Sequence, residues 1–282
     1  GNQVMDIAEN LSDVRARVAQ ASGRRPGDGG MPTLVAVSKI MEVPKLMEAY
    51  NADQRHFGEN YVQEICDKAP QMPSDVRWHF IGHLQTNKCK QLVKSVPSLY
   101  MVESVDSAKV ATALDKACTA AKRSEKLKVM VQVNTSKEGS KSGCEASECV
   151  STVRHILDSC PNLEFEGLMT IGKLGDPNPG PYFDLLCQLR DQTIRQCNIT
   201  TPVGLSMGMS GDYPLAIKRG STNVRVGSTI FGARPKKAPL AATGSMDGVP
   251  TGAAIAGDAE GCGHVYKVTW CHECFPPGGA AG

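Results

Sequence analysis

A (β/α)8 barrel is the fold this sequence predicts, and three observations predict it. Eight short β-branched or apolar runs alternate with longer helical or loop stretches between Thr33 and Val226. No run approaches the roughly 20 apolar residues of a membrane span. The loops after the last two runs are rich in Gly and Ser, which is where barrels of this kind bind phosphate. An open doubly wound sheet uses the same alternation with fewer strands, so the count favours closure.

The elements follow in order. Residues 4–21 read as an amphipathic helix, with Ile7, Leu11, Val14 and Val18 at helical spacing. A Gly/Pro-rich break at 23–32 separates it from the first strand. The eight strands are expected at 33–37, 55–57, 78–81, 99–105, 129–133, 165–171, 203–206 and 224–226, the second being the least marked. Residues 108–121, 146–157 and 183–195 carry helical periodicity between them. From Lys236 onward the last 47 residues hold nine glycines, nine alanines and four prolines with little periodicity. The sequence therefore reads as one barrel domain over 1–235 and a Gly/Ala-rich, disordered tail over 236–282.

Composition narrows the function. The chain is 41% hydrophobic and 21% charged, which excludes wholesale disorder. A net charge of +2, with no basic run or aromatic ladder, gives no reason to expect nucleic acid. No signal peptide or membrane span is legible, so a cytoplasmic protein without membrane contact is expected, a mitochondrial pool staying open. Eight of the eleven cysteines lie irregularly between Cys66 and Cys197, as reduced thiols would. The sequons at Asn134 and Asn198 are then coincidental.

In a barrel the chemistry sits where strands end. Lys39 follows the first strand, the Gly58-Glu59-Asn60-Tyr61 run the second, and His83 the third. Asn134 follows the fifth strand and Met169-Thr170 closes the sixth. A lysine at an apolar barrel mouth is desolvated, which favours the neutral amine that forms Schiff bases. It also fits a lysine that ends a strand and snorkels to water. The Ser206–Gly211 run and the Arg225–Thr229 run offer convergent backbone N–H groups and hydroxyls for an anion, or serve only as turns and caps. Ser210, just ahead of a short helix, is a candidate for both cap and phosphate ligand. Lysine and phosphate cradle together describe a site for a phosphorylated aldehyde.

Other motifs fall short. Neither a Gly-x-Gly-x-x-Gly helix start nor a P-loop is present, and His56, His79, His83 and His155 lack metal spacing. Of His79 and His83, at most one faces the site. In the tail, Cys262, His264, Cys271 and Cys274 include one Cys-x-x-Cys pair. Zinc would need a frame that no strand or helix pattern supplies, so no metal is expected.

Six segments, 34–39 (LVAVSK), 57–64 (FGENYVQE), 78–85 (WHFIGHLQ), 167–171 (GLMTI), 205–210 (LSMGMS) and 220–232 (GSTNVRVGSTIFG), resemble the pyridoxal phosphate homeostasis protein family. They run in order through residues 4–235, and the eukaryotic branch fits best. The resemblance implies a fold-type III barrel, like the N-terminal domain of alanine racemase, holding pyridoxal 5′-phosphate. Lys39 would carry the cofactor as a Schiff base. Arg225 would meet the pyridine nitrogen, and Asn60 would lie near the ring. Ser210 with the backbone of Gly227 and Ser228 would hold the phosphate, and Thr229 is a further candidate.

An arginine at the ring nitrogen leaves that nitrogen unprotonated and weakens the cofactor as an electron sink. Alanine racemase, which shares such an arginine, also needs a tyrosine from a C-terminal β-domain, and the only tyrosine in 236–282 is Tyr266. The expected function is therefore cofactor binding, buffering or delivery, with no catalytic residues and no robust turnover. The partners are pyridoxal phosphate and, on this reading, apo-enzymes that use it, and a monomer is expected. The alternatives are a racemase or decarboxylase of the same fold, and a Schiff-base aldolase acting on sugar phosphates.

Overall fold

Buried strands of the expected kind pair here edge to edge, in chain order, until the last meets the first. In the computed structural model, which describes residues 6–24, 30–138 and 142–232, eight strands form a closed parallel barrel. They are β1 (Thr33–Val37), β2 (His56–Glu59), β3 (Arg77–Phe80), β4 (Leu99–Val105), β5 (Leu127–Gln132), β6 (Leu163–Met169), β7 (Gly204–Ser206) and β8 (Asn223–Val226). β8 closes on β1 with Val35 opposite Arg225. The tail, with its cysteine–histidine cluster, lies outside the described residues.

Each expected strand is present, β1 and β4 with the expected bounds and the other six with an end moved. β2 extends past Phe57 to Glu59, and β5 and β6 begin and end two residues or one residue earlier than their β-branched runs. The ladder is set by pairing, not by side-chain type, so it takes in a glycine and a buried glutamate that read as loop.

The helices wrap the barrel: α1 (Ile7–Ser22), α2 (Val43–Asn51), α3 (Val62–Lys68), α4 (Cys89–Ser95), α5 (Ala108–Ala120), α6 (Cys149–Ser159), α7 (Gly180–Gln196), α8 (Tyr213–Lys218) and α9 (Ser228–Phe231). In α1 the four expected apolar positions are all buried. Its start is set by Asp6, whose carboxylate accepts the Glu9 N–H at 2.8 Å, and its end by Gly23 at φ 66°. Asn10 donates to the Ile230 carbonyl at 3.0 Å, tying α1 to the segment after β8. The leading helix thus covers the seam where the barrel closes.

Strand alternation creates two interiors. Ala36 and Phe57 face outward into the large apolar layer beneath the helices, which also holds Trp78 and Phe80. Inside the barrel, Met101, Met130 and Met169 form a separate small cluster. The inner face otherwise carries polar groups, among them His79, Glu103, Ser206, Asn223 and Arg225, each buried.

One glycine fixes where the mouth of the barrel lies. A Cβ at Gly82 would run into the Asn60 carbonyl, so only glycine lets the chain after β3 pass the chain after β2. Gly82→Ala is expected to cost about 2–4 kcal/mol, because the obstacle is backbone and cannot rotate away. Thermal unfolding checks this, and an unchanged midpoint would contradict it.

Candidate functional site

At the C-terminal mouth a cavity of about 220 Å³ is lined by Val37, Lys39, Asn60, Ile81, Ile171, Met209, Ser210, Gly211, Arg225, Gly227 and Ser228. Six of the seven expected site residues meet there. Thr229, one residue further into α9, is not part of the wall. Larger hollows of about 470 and 950 Å³ lie at the opposite end, where β4, β5 and β6 begin, and lack the convergent groups of the mouth.

Lys39 reaches the cavity because β1 alternates. Val37 lines the wall, Ser38 turns outward beneath α3, and Lys39 turns inward again. The two Gly/Ser loops converge as expected, with the Gly227 N–H donating to Ser210 Oγ at 3.2 Å. The helix cap differs from expectation. α8 starts after Asp212, whose carboxylate turns back to accept the Met209 N–H at 2.6 Å. Ser210 lies two residues too early to cap, which leaves its hydroxyl at the cavity. Gly208, at φ 96°, makes this loop turn, and a Cβ there would press on Ala216 and Tyr213.

Arg225 lies almost wholly buried, at 4% exposure, so its charge must be met inside the protein. Nη2 donates to the Thr170 carbonyl at 2.8 Å, and Nη1 donates to Ser206 Oγ. Ser206 in turn donates to Glu103 Oε2 at 2.5 Å, which stands 3.9 Å from Nη1. The other oxygen of Glu103 accepts from Asn223 at 2.8 Å and from His79 Nδ1 at 2.6 Å. Burial pushes the Glu103 carboxyl up, but the His79 hydrogen bond and the charges of His79 and Arg225, with the Ser206 bond, bring it down to about 2. His79 Nε2 meets His56 Nδ1 at 2.8 Å, and His56 Nε2 faces the Arg77 guanidinium at 3.4 Å. Arginine only donates and carboxylate only accepts, so each histidine donates from Nδ1 toward Glu103.

This column has a pH signature. Burial, with the charges of His79 and Arg77, lowers His56 from 6.5 to about 3. The unfolded chain therefore takes that proton first, and stability falls as pH drops from about 6.5 toward 3. Glu103 is depressed, so its contribution is complete above its ordinary value near 4.5 and is lost as pH falls toward about 2. Thermal unfolding between pH 7 and 3 should show both losses in sequence. His56→Gln, which does not titrate, should flatten the profile between pH 6.5 and 4.5, and a profile like the wild type would refute the assignment.

Elsewhere the described residues offer little competing chemistry. His83 is over half exposed and sits 3.4 Å from Asp106, while His79 is the member of that pair that enters the barrel. Asn134 is buried and donates to the Glu138 carbonyl at 3.1 Å, which makes it a poor sequon. All eight described cysteines are free thiols, and burial raises every one of them, Cys144 furthest. Among the described residues no three His, Cys, Asp or Glu side chains cluster as a metal site.

A family model described as the N-terminal domain of alanine racemase matches residues 7–235. A Homo sapiens protein named pyridoxal phosphate homeostasis protein is 49% identical over 235 residues, covering 79% of this chain and 85% of the relative. The chain belongs to the pyridoxal phosphate homeostasis protein family. Members from Schizosaccharomyces pombe and Vibrio cholerae are 46% and 37% identical, over 81% of this chain each and 93% and 96% of their own lengths. PipY of Synechococcus elongatus, a structure with PLP bound, is 31% identical with a TM-score of 0.68 over 80% of this chain and all of its own. Alanine racemase of Corynebacterium glutamicum, at 15% identity and a TM-score of 0.59, covers 84% of this chain and 62% of its own, and shares the fold.

The sequence reading did not find the apolar wall of Ile81, Ile171 and Met209, nor Glu103 beneath Arg225. The apolar residues carry no signal apart from any core residue. Glu103 as the one charged residue of a largely apolar strand was the available sign, since a buried carboxylate requires a partner. No helix among the described residues is long and apolar enough to cross a membrane.

Proposed function

We propose that this protein binds pyridoxal 5′-phosphate through Lys39 and serves its homeostasis, by buffering or delivery, without robust turnover. The observation that carries the reading is one cavity lined by Lys39, the converging Gly/Ser loops and a buried arginine. The residues fit the cofactor. Asn60 Oδ1 is buried without a hydrogen-bond partner among the described residues, an open acceptor at the cavity wall for a polar ring substituent. Bound there, the cofactor supplies an electrophilic aldehyde. Lys39 would hold it there through its amine, a nucleophile suited to an aldehyde, with water as the leaving group and no oxidant needed. Ser210, Gly227 and Ser228 would hold the phosphate through hydroxyl and backbone donors, with Thr229 a further candidate. Arg225, its fork held in place by Ser206, Thr170 and Glu103, would donate to the ring nitrogen.

Two features favour binding over turnover. The described wall offers Lys39 as its one proton-transferring base, whereas two-base racemisation needs another opposite. A guanidinium at the ring nitrogen also discourages carbanion chemistry. The free thiols fit a reducing compartment, cytoplasmic with a mitochondrial pool. We read the protein as a monomer whose partners, besides the cofactor, are apo-enzymes that use it, and residues 1–235 as the binding unit.

Incubation with pyridoxal phosphate followed by borohydride should leave a pyridoxyl group on Lys39, located by mass spectrometry. Absence of that adduct would overturn the reading. Exchange of an amino acid's α-proton with deuterated solvent at enzyme-like rates would replace it with the racemase.

A further inference from the structure

The backbone that presents Lys39 is strained, and a buried charge cluster holds it there. Ile40, the next residue, has φ 67°, a conformation that β-branched residues avoid. It occupies the third position of a turn closed by the Met41 N–H on the Ser38 carbonyl at 3.0 Å, where a positive φ ordinarily calls for glycine. The Ile40 side chain is 46% exposed, so its own burial does not account for the conformation. What does meet this backbone is Glu64 of α3, whose Oε2 accepts the Ile40 N–H at 2.8 Å.

The same carboxylate oxygen accepts from Lys68 Nζ at 2.8 Å. That ammonium also donates to Glu59 Oε1 at 2.8 Å and to the Ser38 carbonyl at 2.9 Å. All three protons of Lys68 are thus used within a residue only 8% exposed. Glu59, fully buried, accepts Ser38 Oγ–H at 2.7 Å as well. A buried ion cluster is weak evidence for stability, since desolvation consumes most of the Coulomb gain. The apolar face of α3 already docks through Ile65. The bonds of this cluster instead end on the two groups that flank Lys39, the Ser38 carbonyl and the Ile40 N–H.

We propose that Glu64, with Lys68 and Glu59 behind it, is a positioning device for Lys39, holding its strained turn so that the amine faces the cofactor's aldehyde. This rests on the function proposed above, and it extends the site to residues that never touch the cofactor. Strain of this kind is worth about a tenfold change in the equilibrium for attachment.

Glu64→Ala tests it, because that side chain is about a third exposed and its loss opens no cavity. Pyridoxal phosphate should bind about tenfold more weakly to the variant, with borohydride trapping reduced in step. Pyridoxine 5′-phosphate, which has an alcohol in place of the aldehyde, should bind wild type and variant alike. Adding Ile40→Gly to Glu64→Ala should restore attachment, since glycine adopts the turn unaided. Equal losses for both ligands, no loss for either, or no rescue by glycine would each overturn the positioning role. Failure of the wild type itself to form an adduct would overturn the proposed function along with it. An adduct in the wild type with an unchanged variant would remove the positioning role alone.

Discussion

Lys39→Ala should abolish borohydride-trappable attachment of pyridoxal phosphate and weaken its binding about a hundredfold. The loss is large because, among the described residues of the cavity wall, Lys39 alone offers an amine to the aldehyde carbon. Ser210, Gly227, Ser228, Asn60 and Arg225 remain in the variant, so residual non-covalent binding should persist and should match that of pyridoxine 5′-phosphate. Lys39→Arg should behave like alanine, because a guanidinium does not deprotonate to a nucleophile. Absorbance of the imine and mass spectrometry of the reduced protein provide the readouts. Trapping on a different lysine in the variant would show that the site has been misassigned.

Arg225→Gln should be the most destabilising single change in the site. It withdraws the guanidinium beside Glu103 and strips Ser206 Oγ and the Thr170 carbonyl of a donor. Breaking a buried pair by deleting one partner costs about 3–5 kcal/mol, since the other charge stays buried. For a domain of this size that lowers the unfolding midpoint by about 6–20 °C. Glu103→Gln in the same chain should recover part of the loss, because the stranded charge is then gone, and a double-mutant cycle measures the coupling. Arg225→Lys keeps a charge without the planar fork, so the bound chromophore should shift relative to wild type. Strictly additive stability losses, or an unshifted spectrum, would argue against the assigned contacts.

The site was legible where its logic is local. Lys39 ends an apolar strand, and the loops after β7 and β8 announce themselves by Gly and Ser, so barrel topology alone places them together. Glu103 was not legible, because its partners Ser206 and Asn223 are 103 and 120 residues away. Nor was the clamp on Lys39, because Glu59 read as part of a loop and no motif or spacing set Lys68 apart from the other lysines. In the fold one is fully buried and the other nearly so.

The sequence by itself determined a closed eight-stranded barrel with a leading helix, through hydrophobic periodicity and strand count, which depend only on neighbours along the chain. The order of the strands also gave which strand ends carry the lysine, the arginine and the Gly/Ser loops. Only the tertiary structure decided which buried charges pair, because pairing is a property of distances across the barrel. It likewise decided that a β-branched residue beside Lys39 is held at positive φ. Such a conformation opposes local preference and persists only where contacts from another element, here α3, hold it.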